Sequence, residues 1–148
     1  MRRLLYIIVL AALLAVPVHP TDVGNMLPVE LVMVYAKGSG VEIRTDTGNR
    51  GVGRSLQEAA ADLKESASEE LFLDTADYLI LSGNGVPPDQ LKGIFKDRIY
   101  VCRGSRDIDL SKAARYLSEH TPKHRLKDME WGIMLSEIRK TDNGFTLS

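Results

Sequence analysis

The chain has 148 residues, a length that suits one domain, with 44% hydrophobic and 26% charged residues and a formal net charge of −1. Acidic and basic residues are mixed along it, and no basic stripe is interleaved with aromatics, which argues against a nucleic-acid partner. Cys102 is the single cysteine, which excludes an internal disulfide framework.

Residues 1–20 stand apart. Arg2 and Arg3 precede an unbroken apolar run from Leu4 to Val16, and Pro17 and Pro20 follow. A positive start, an apolar middle and a helix-breaking end make an export signal. The run is short for a bilayer, which takes about 20 apolar residues. Neither Ala15-Val16-Pro17 nor Val18-His19-Pro20 has the small-x-small pattern of a good cleavage site, so an uncleaved short anchor is the alternative. With no cysteine near residues 15–25, lipid attachment at the leader is not expected. The mature chain is therefore expected outside the cytosol, at the outer face of a membrane or secreted.

Residues 21–28 read as a linker ending at Pro28, and residues 29–148 as the folded domain. Leu31 to Ala36 is apolar on both faces, the mark of an interior strand. Lys37-Gly38-Ser39-Gly40 supplies a turn. Val41, Ile43 and Thr45 then alternate with Glu42, Arg44 and Asp46, as in a strand near an edge with one wet face.

The stretch from Thr45 to Gly83 organises the chain. Gly48, Gly51 and Gly53 make a glycine loop, suited to a tight turn or to a close backbone approach. Ser55 caps a helix, and Glu58 three residues on completes the S-x-x-E box, in which each side chain serves a backbone N–H of the other residue. Leu56, Ala59, Ala60, Leu63 and Ala67 draw one apolar stripe, mostly alanine, so the helix is expected to pack close to what it covers. Tyr78 to Leu81 reads as a strand buried inside the sheet.

Beyond the turn at Ser82–Gly85, Pro87 and Pro88 open a short helix, and Ile99 to Cys102 is a further strand with Cys102 as a packing residue. Asp109 caps a helix carrying Leu110, Ala113, Ala114 and Leu117, which Pro122 stops. The spacing of Leu126, Met129, Ile133, Leu135 and Ile138 predicts a last helix from about Leu126 to Arg139, with Trp131 and Met134 on it as core or docking residues. Asp142-Asn143-Gly144 is a turn, and Phe145 to Leu147 begins a short strand. Helices alternating with strands behind a hairpin predict an α/β domain with a mixed sheet.

No catalytic, cofactor or metal constellation stands out, so the expectation is a protein that is no enzyme and carries no cofactor. GNRGVGRS matches the phosphate-loop pattern at Gly48, Gly53, Arg54 and Ser55, with Asp74 as a conceivable metal-binding partner. Arg54 stands where that pattern has lysine, a planar fork in place of a compact ammonium. The glycines are read as structural. Asp74 and Asp77 are read as turn residues, and His120 and His124 as solvated loop residues short of a ligand set.

Two segments carry a resemblance: T-G-x-x-G-x-G-x-S-L-x-E-A at residues 47–59 and L-F-L-D-T-A-D-Y-L-I-L at 71–81. With the leader and paired strand before them, and a short helix and strand after, residues from about Leu31 to Val101 resemble the N-terminal domain of the spore germination lipoproteins, the C subunits of germinant receptors. The resemblance implies a non-enzymatic subunit on the outer face of the spore inner membrane, with membrane protein subunits of a receptor complex as partners. The lipobox cysteine of that family is absent, and the family continues into further domains. The alternative is an exported α/β domain of another family that binds a small ligand or an envelope component.

Overall fold

The computed structural model describes residues 26–148; the expected leader and the first part of the linker lie outside them. The strands are β1 (Met26–Pro28), β2 (Leu31–Lys37), β3 (Gly40–Thr45), β4 (Arg50–Gly53), β5 (Glu70–Phe72), β6 (Tyr78–Gly83), β7 (Tyr100–Gly104), β8 (His124–Arg125), β9 (Glu137–Thr141) and β10 (Gly144–Leu147). Three helices join them: α1 (Leu56–Ser66), α2 (Pro88–Lys92) and α3 (Leu110–Glu119).

The domain is α/β with a mixed sheet. Its main sheet runs β4-β3-β2-β6-β7-β9-β10, and β8 pairs with the first half of β7. Strands β2, β6, β7 and β9 are mutually parallel; β3 and β4 extend the sheet antiparallel beyond β2, and β10 lies antiparallel beyond β9. The interior strands are the ones whose sequences are apolar on both faces: β2 and β6 are buried because helices cover both sides. On one face α1 and α2 pack Leu56, Ala59, Leu63 and Leu91 onto Val32, Val34, Leu79 and Val101. On the other, α3 packs Ala113, Ala114 and Leu117 onto Leu31, Met33, Ile80 and Cys102. Burial pushes the Cys102 thiol up to about 12, so it is a packing residue, not a nucleophile.

Three expectations are corrected. Residues 126–139 form no long helix. Leu126–Asp128 is a single 3₁₀ turn, Gly132 takes φ +85°, and Glu137–Thr141 is strand β9, hairpinned to β10 through Asp142-Asn143-Gly144. The apolar spacing had one step of two between Ile133 and Leu135, off the helical period, and the left-handed glycine ends any helix there. Trp131 and Met134 consequently stand 79% and 89% exposed, outside the core. Met26–Pro28, read as linker, pairs in parallel with β5. As expected, β3 lies near an edge, with only β4 beyond it.

Candidate functional site

The glycine segment, expected to be a loop, is mostly a strand. Gly48 alone of its three glycines has a left-handed backbone, φ +89°, in the turn that joins β3 to β4. Gly51 and Gly53 lie in β4 with ordinary backbone angles. Their lack of a side chain serves approach instead. A Cβ at Gly51 would come 2.5 Å from the Leu63 nitrogen, and one at Gly53 would come 2.5 Å from the Ala59 nitrogen. The alanine stripe of α1 lies directly on the glycines of β4, so two small-residue surfaces bring backbone against backbone.

The start of α1 is closed by its own side chains. Ser55 Oγ accepts from the Glu58 N–H at 3.1 Å. Glu58 returns its carboxylate to the Arg54 N–H at 2.8 Å, one residue earlier than the box pattern has it. Asp62 accepts from the Val52 N–H at 2.8 Å, and Ser66 donates to the Arg50 carbonyl at 3.2 Å. The outward backbone groups of β4 at these residues are thus taken by helix side chains, which blunts this sheet edge against strand addition. The amides at Val52 and Arg54, where a phosphate cradle would need free donors, are bonded to carboxylates. Ser55→Ala should lower stability by about 1 kcal/mol, read as a shifted midpoint with unchanged slope in a urea melt.

Other sequence candidates separate in space. Asp74 sits exposed in a 3₁₀ turn and Asp77 exposed before β6. The bonds that fasten this turn come from Thr75, which the sequence reading passed over. Its Oγ1 accepts from the Val29 N–H at 3.1 Å and lies 3.0 Å from the Val29 carbonyl. His120 stacks on Tyr116 at 4.3 Å, and His124 lies in β8. Among the described residues no group of three His, Cys, Asp or Glu is placed to hold a metal ion. No helix among them is long and apolar enough to cross a membrane.

Glu42, expected on the wet face of β3, is only 7% exposed. Its Oε2 accepts from Arg106 Nη2 at 2.6 Å and from Arg50 Nη2 at 3.2 Å. The Arg106 guanidinium lies 4.7 Å over the Tyr35 ring, and Arg44 Nη1 donates to the Arg106 carbonyl at 2.8 Å. These contacts tie the loop after β7 to the β3–β4 hairpin, which α3 leaves uncovered. Nothing local in the sequence pairs residue 42 with residue 106. Burial by itself would raise the Glu42 pKa; the two arginine hydrogen bonds outweigh it and hold the carboxyl below its ordinary 4.5. A carboxyl depressed on folding contributes stability that is present above its unfolded pKa and is lost as pH falls through its folded one. Lowering the pH from about 5 should therefore destabilise the parent more than Glu42→Gln, measured by urea melts at each pH.

A small concave feature lies outside the carboxyl ends of β6 and β7. The chain leaves β6 through Ser82–Val86 toward α2 on one face, and leaves β7 toward α3 on the other. Between the 83–88 turn and the 129–135 segment the two strands leave a cavity of about 200 Å³. The turn is fixed: the Asn84 N–H donates to the Ala36 carbonyl at 2.8 Å, and Gly83 and Gly85 both take φ +80°. Arg103, at the end of β7, lines this cavity and also the neighbouring one beside Glu137, and the exposed Trp131 lines it too. Sequence reasoning missed it because its walls come from three segments far apart in the chain.

Comparison of the chain with protein-family models, with curated proteins and with solved structures found no match.

Proposed function

We propose that this chain is an exported, non-catalytic interaction domain, a component of a receptor-type complex of the spore germinant-receptor kind at a membrane surface. The observation that carries the reading is the segment Trp131–Met134. Two large apolar side chains stand in solvent three residues apart; among the described residues the other exposed large hydrophobic is Val52, at 46%. Exposed aromatic and methionine side chains grouped together mark interaction sites. The leader and the motifs at residues 47–59 and 71–81 supply the compartment and the kind of partner.

The test is co-expression with the membrane subunits of a spore germinant receptor, followed by purification through one of those subunits. The chain should co-purify, and Trp131→Ser combined with Met134→Ser should reduce recovery at least about tenfold, as loss of interface anchors does, with an unchanged melt. Failure of the parent chain to co-purify would remove the receptor-complex reading. A fusion of residues 1–30 to a reporter active only outside the cytosol tests export separately; a silent reporter would overturn the compartment.

A second reading, an exported domain that binds a small ligand, is favoured by the cavity at the ends of β6 and β7. Open α/β sheets bind ligands outside the carboxyl ends of strands whose connections part to opposite faces.

A further inference from the structure

We propose that the crevice outside the carboxyl ends of β6 and β7 binds a small carboxylate with an apolar body, its carboxylate held by Arg103. The inference rests on the second reading above and is independent of the receptor complex.

Three observations lead to it. The first is placement: β6 and β7 are adjacent parallel strands, and their connections diverge, to α2 on one face and to α3 on the other. That divergence opens a crevice at the sheet end and is the general location of ligand sites in such folds. The second is the wall. Leu81, Val86 and Met129 are buried core residues that also line the cavity, and Leu135 adds a fourth apolar surface. At about 200 Å³ the space is smaller than the roughly 300–1,000 Å³ of drug-sized pockets. It suits a branched aliphatic body of a few carbons, over which Trp131 can lie.

The third is charge. Arg50 and Arg106 share Glu42, and Arg139 pairs with Glu137. Arg103 has no ion pair among the described residues. Its backbone is positioned by the 2.8 Å bond from its N–H to the Ser136 carbonyl. A guanidinium presents paired donors that match the two oxygens of a carboxylate. Glu137 is close enough for Arg103 to act on it electrostatically, but its carboxylate is already bonded to Arg139. Glu130 also lines the cavity. The shared chemistry is thus a carboxylate on an apolar body. Its two sources are a simple acid and a zwitterion whose ammonium meets Glu130.

Calorimetry on the full chain with 4-methylpentanoate, its neutral amide and leucine separates these. The acid, leucine or both should bind saturably, with a Kd of the order of 1 mM or tighter for so small a ligand. The amide should bind at least about tenfold more weakly than the acid, since it lacks the charge-assisted pair. Arg103→Gln, an exposed change that should leave the melt unaltered, should weaken the acid by a similar factor. If leucine binds more tightly than the acid and Glu130→Gln removes the difference, the ligand is the zwitterion; if the acid binds at least as tightly as leucine, it is the simple acid; tighter leucine binding that Glu130→Gln leaves unchanged overturns the proposed site. Amide shifts in a nitrogen–proton NMR titration should concentrate in residues 83–86 and 129–135. The proposal is overturned if neither carboxylate saturates below about 10 mM, if the amide binds as well as the acid, or if Arg103→Gln leaves the affinity unchanged. None of these outcomes bears on co-purification with membrane subunits.

Discussion

Ile80→Asp is expected to leave the domain unfolded at neutral pH. Ile80 lies at the centre of β6, fully buried, with parallel neighbours Met33 on one side and Cys102 on the other. Its side chain belongs to the core under α3 with Leu31, Met33, Cys102 and Ala113, and no lysine or arginine is buried among the described residues to pair with a carboxylate. An ionised carboxylate there loses its hydration without compensation, or stays neutral only by raising its pKa far above its ordinary value. Either way the change removes several kcal/mol, and the isoleucine packing is lost besides. A domain of this size holds about 5–15 kcal/mol in all. Circular dichroism should show no cooperative melt. A native-like spectrum with a transition within a few degrees of the parent would contradict the central place of β6.

Gly51→Val should come next, at about 3 kcal/mol or more, the upper part of the range for overpacking. Even a single Cβ would meet the backbone and side chain of Leu63, with Leu63 Cβ at 2.6 Å. Neither is the free end of a flexible chain. To make room, α1 has to lift from β4, and Leu56, Ala59 and Leu63 lose their seats together. Gly53→Val should act in the same way through Ala59 and Glu58. Gly48 is the control. A Cβ there meets nothing within 4 Å, so Gly48→Ala should cost only the backbone strain of φ +89°, about 1–2 kcal/mol. Urea melts of the alanine series at positions 48, 51 and 53 separate the two causes. If Gly48→Ala were the most damaging, the turn would matter more than the contact between β4 and α1.

The features that were legible in the sequence are those specified within a few residues. Ser55 and Asp109 cap their helices because cap, helix start and apolar stripe all lie within one or two turns of chain. The continuous apolar runs of β2 and β6 marked them as interior strands, since only a strand covered on both faces keeps both sides apolar. Asp142-Asn143-Gly144 marked a turn whose glycine does take positive φ. The alternation of these elements was enough for an α/β domain with a mixed sheet.

What only the tertiary structure decided depends on partners distant in the chain. Arg50-Gly51-Val52-Gly53 carries two glycines, which weaken a strand, beside one strand-forming valine. It becomes β4 because β3 offers an edge and α1, with its alanines, can lie on glycines. The residues from Leu126 to Arg139 carry apolar spacing that fits a helix in part. Pairing of Glu137 with Arg103 and the left-handed Gly132 override it. Glu42 alternates like a solvent-facing residue, and it is buried because Arg106, 64 residues away, closes over it. The crevice at Arg103 exists only because β6 and β7, adjacent in the sheet, send their connections to opposite faces. Local patterns report the chain's own period and caps, whereas edge pairing, close backbone contact and charge burial are set by which segments the fold brings side by side.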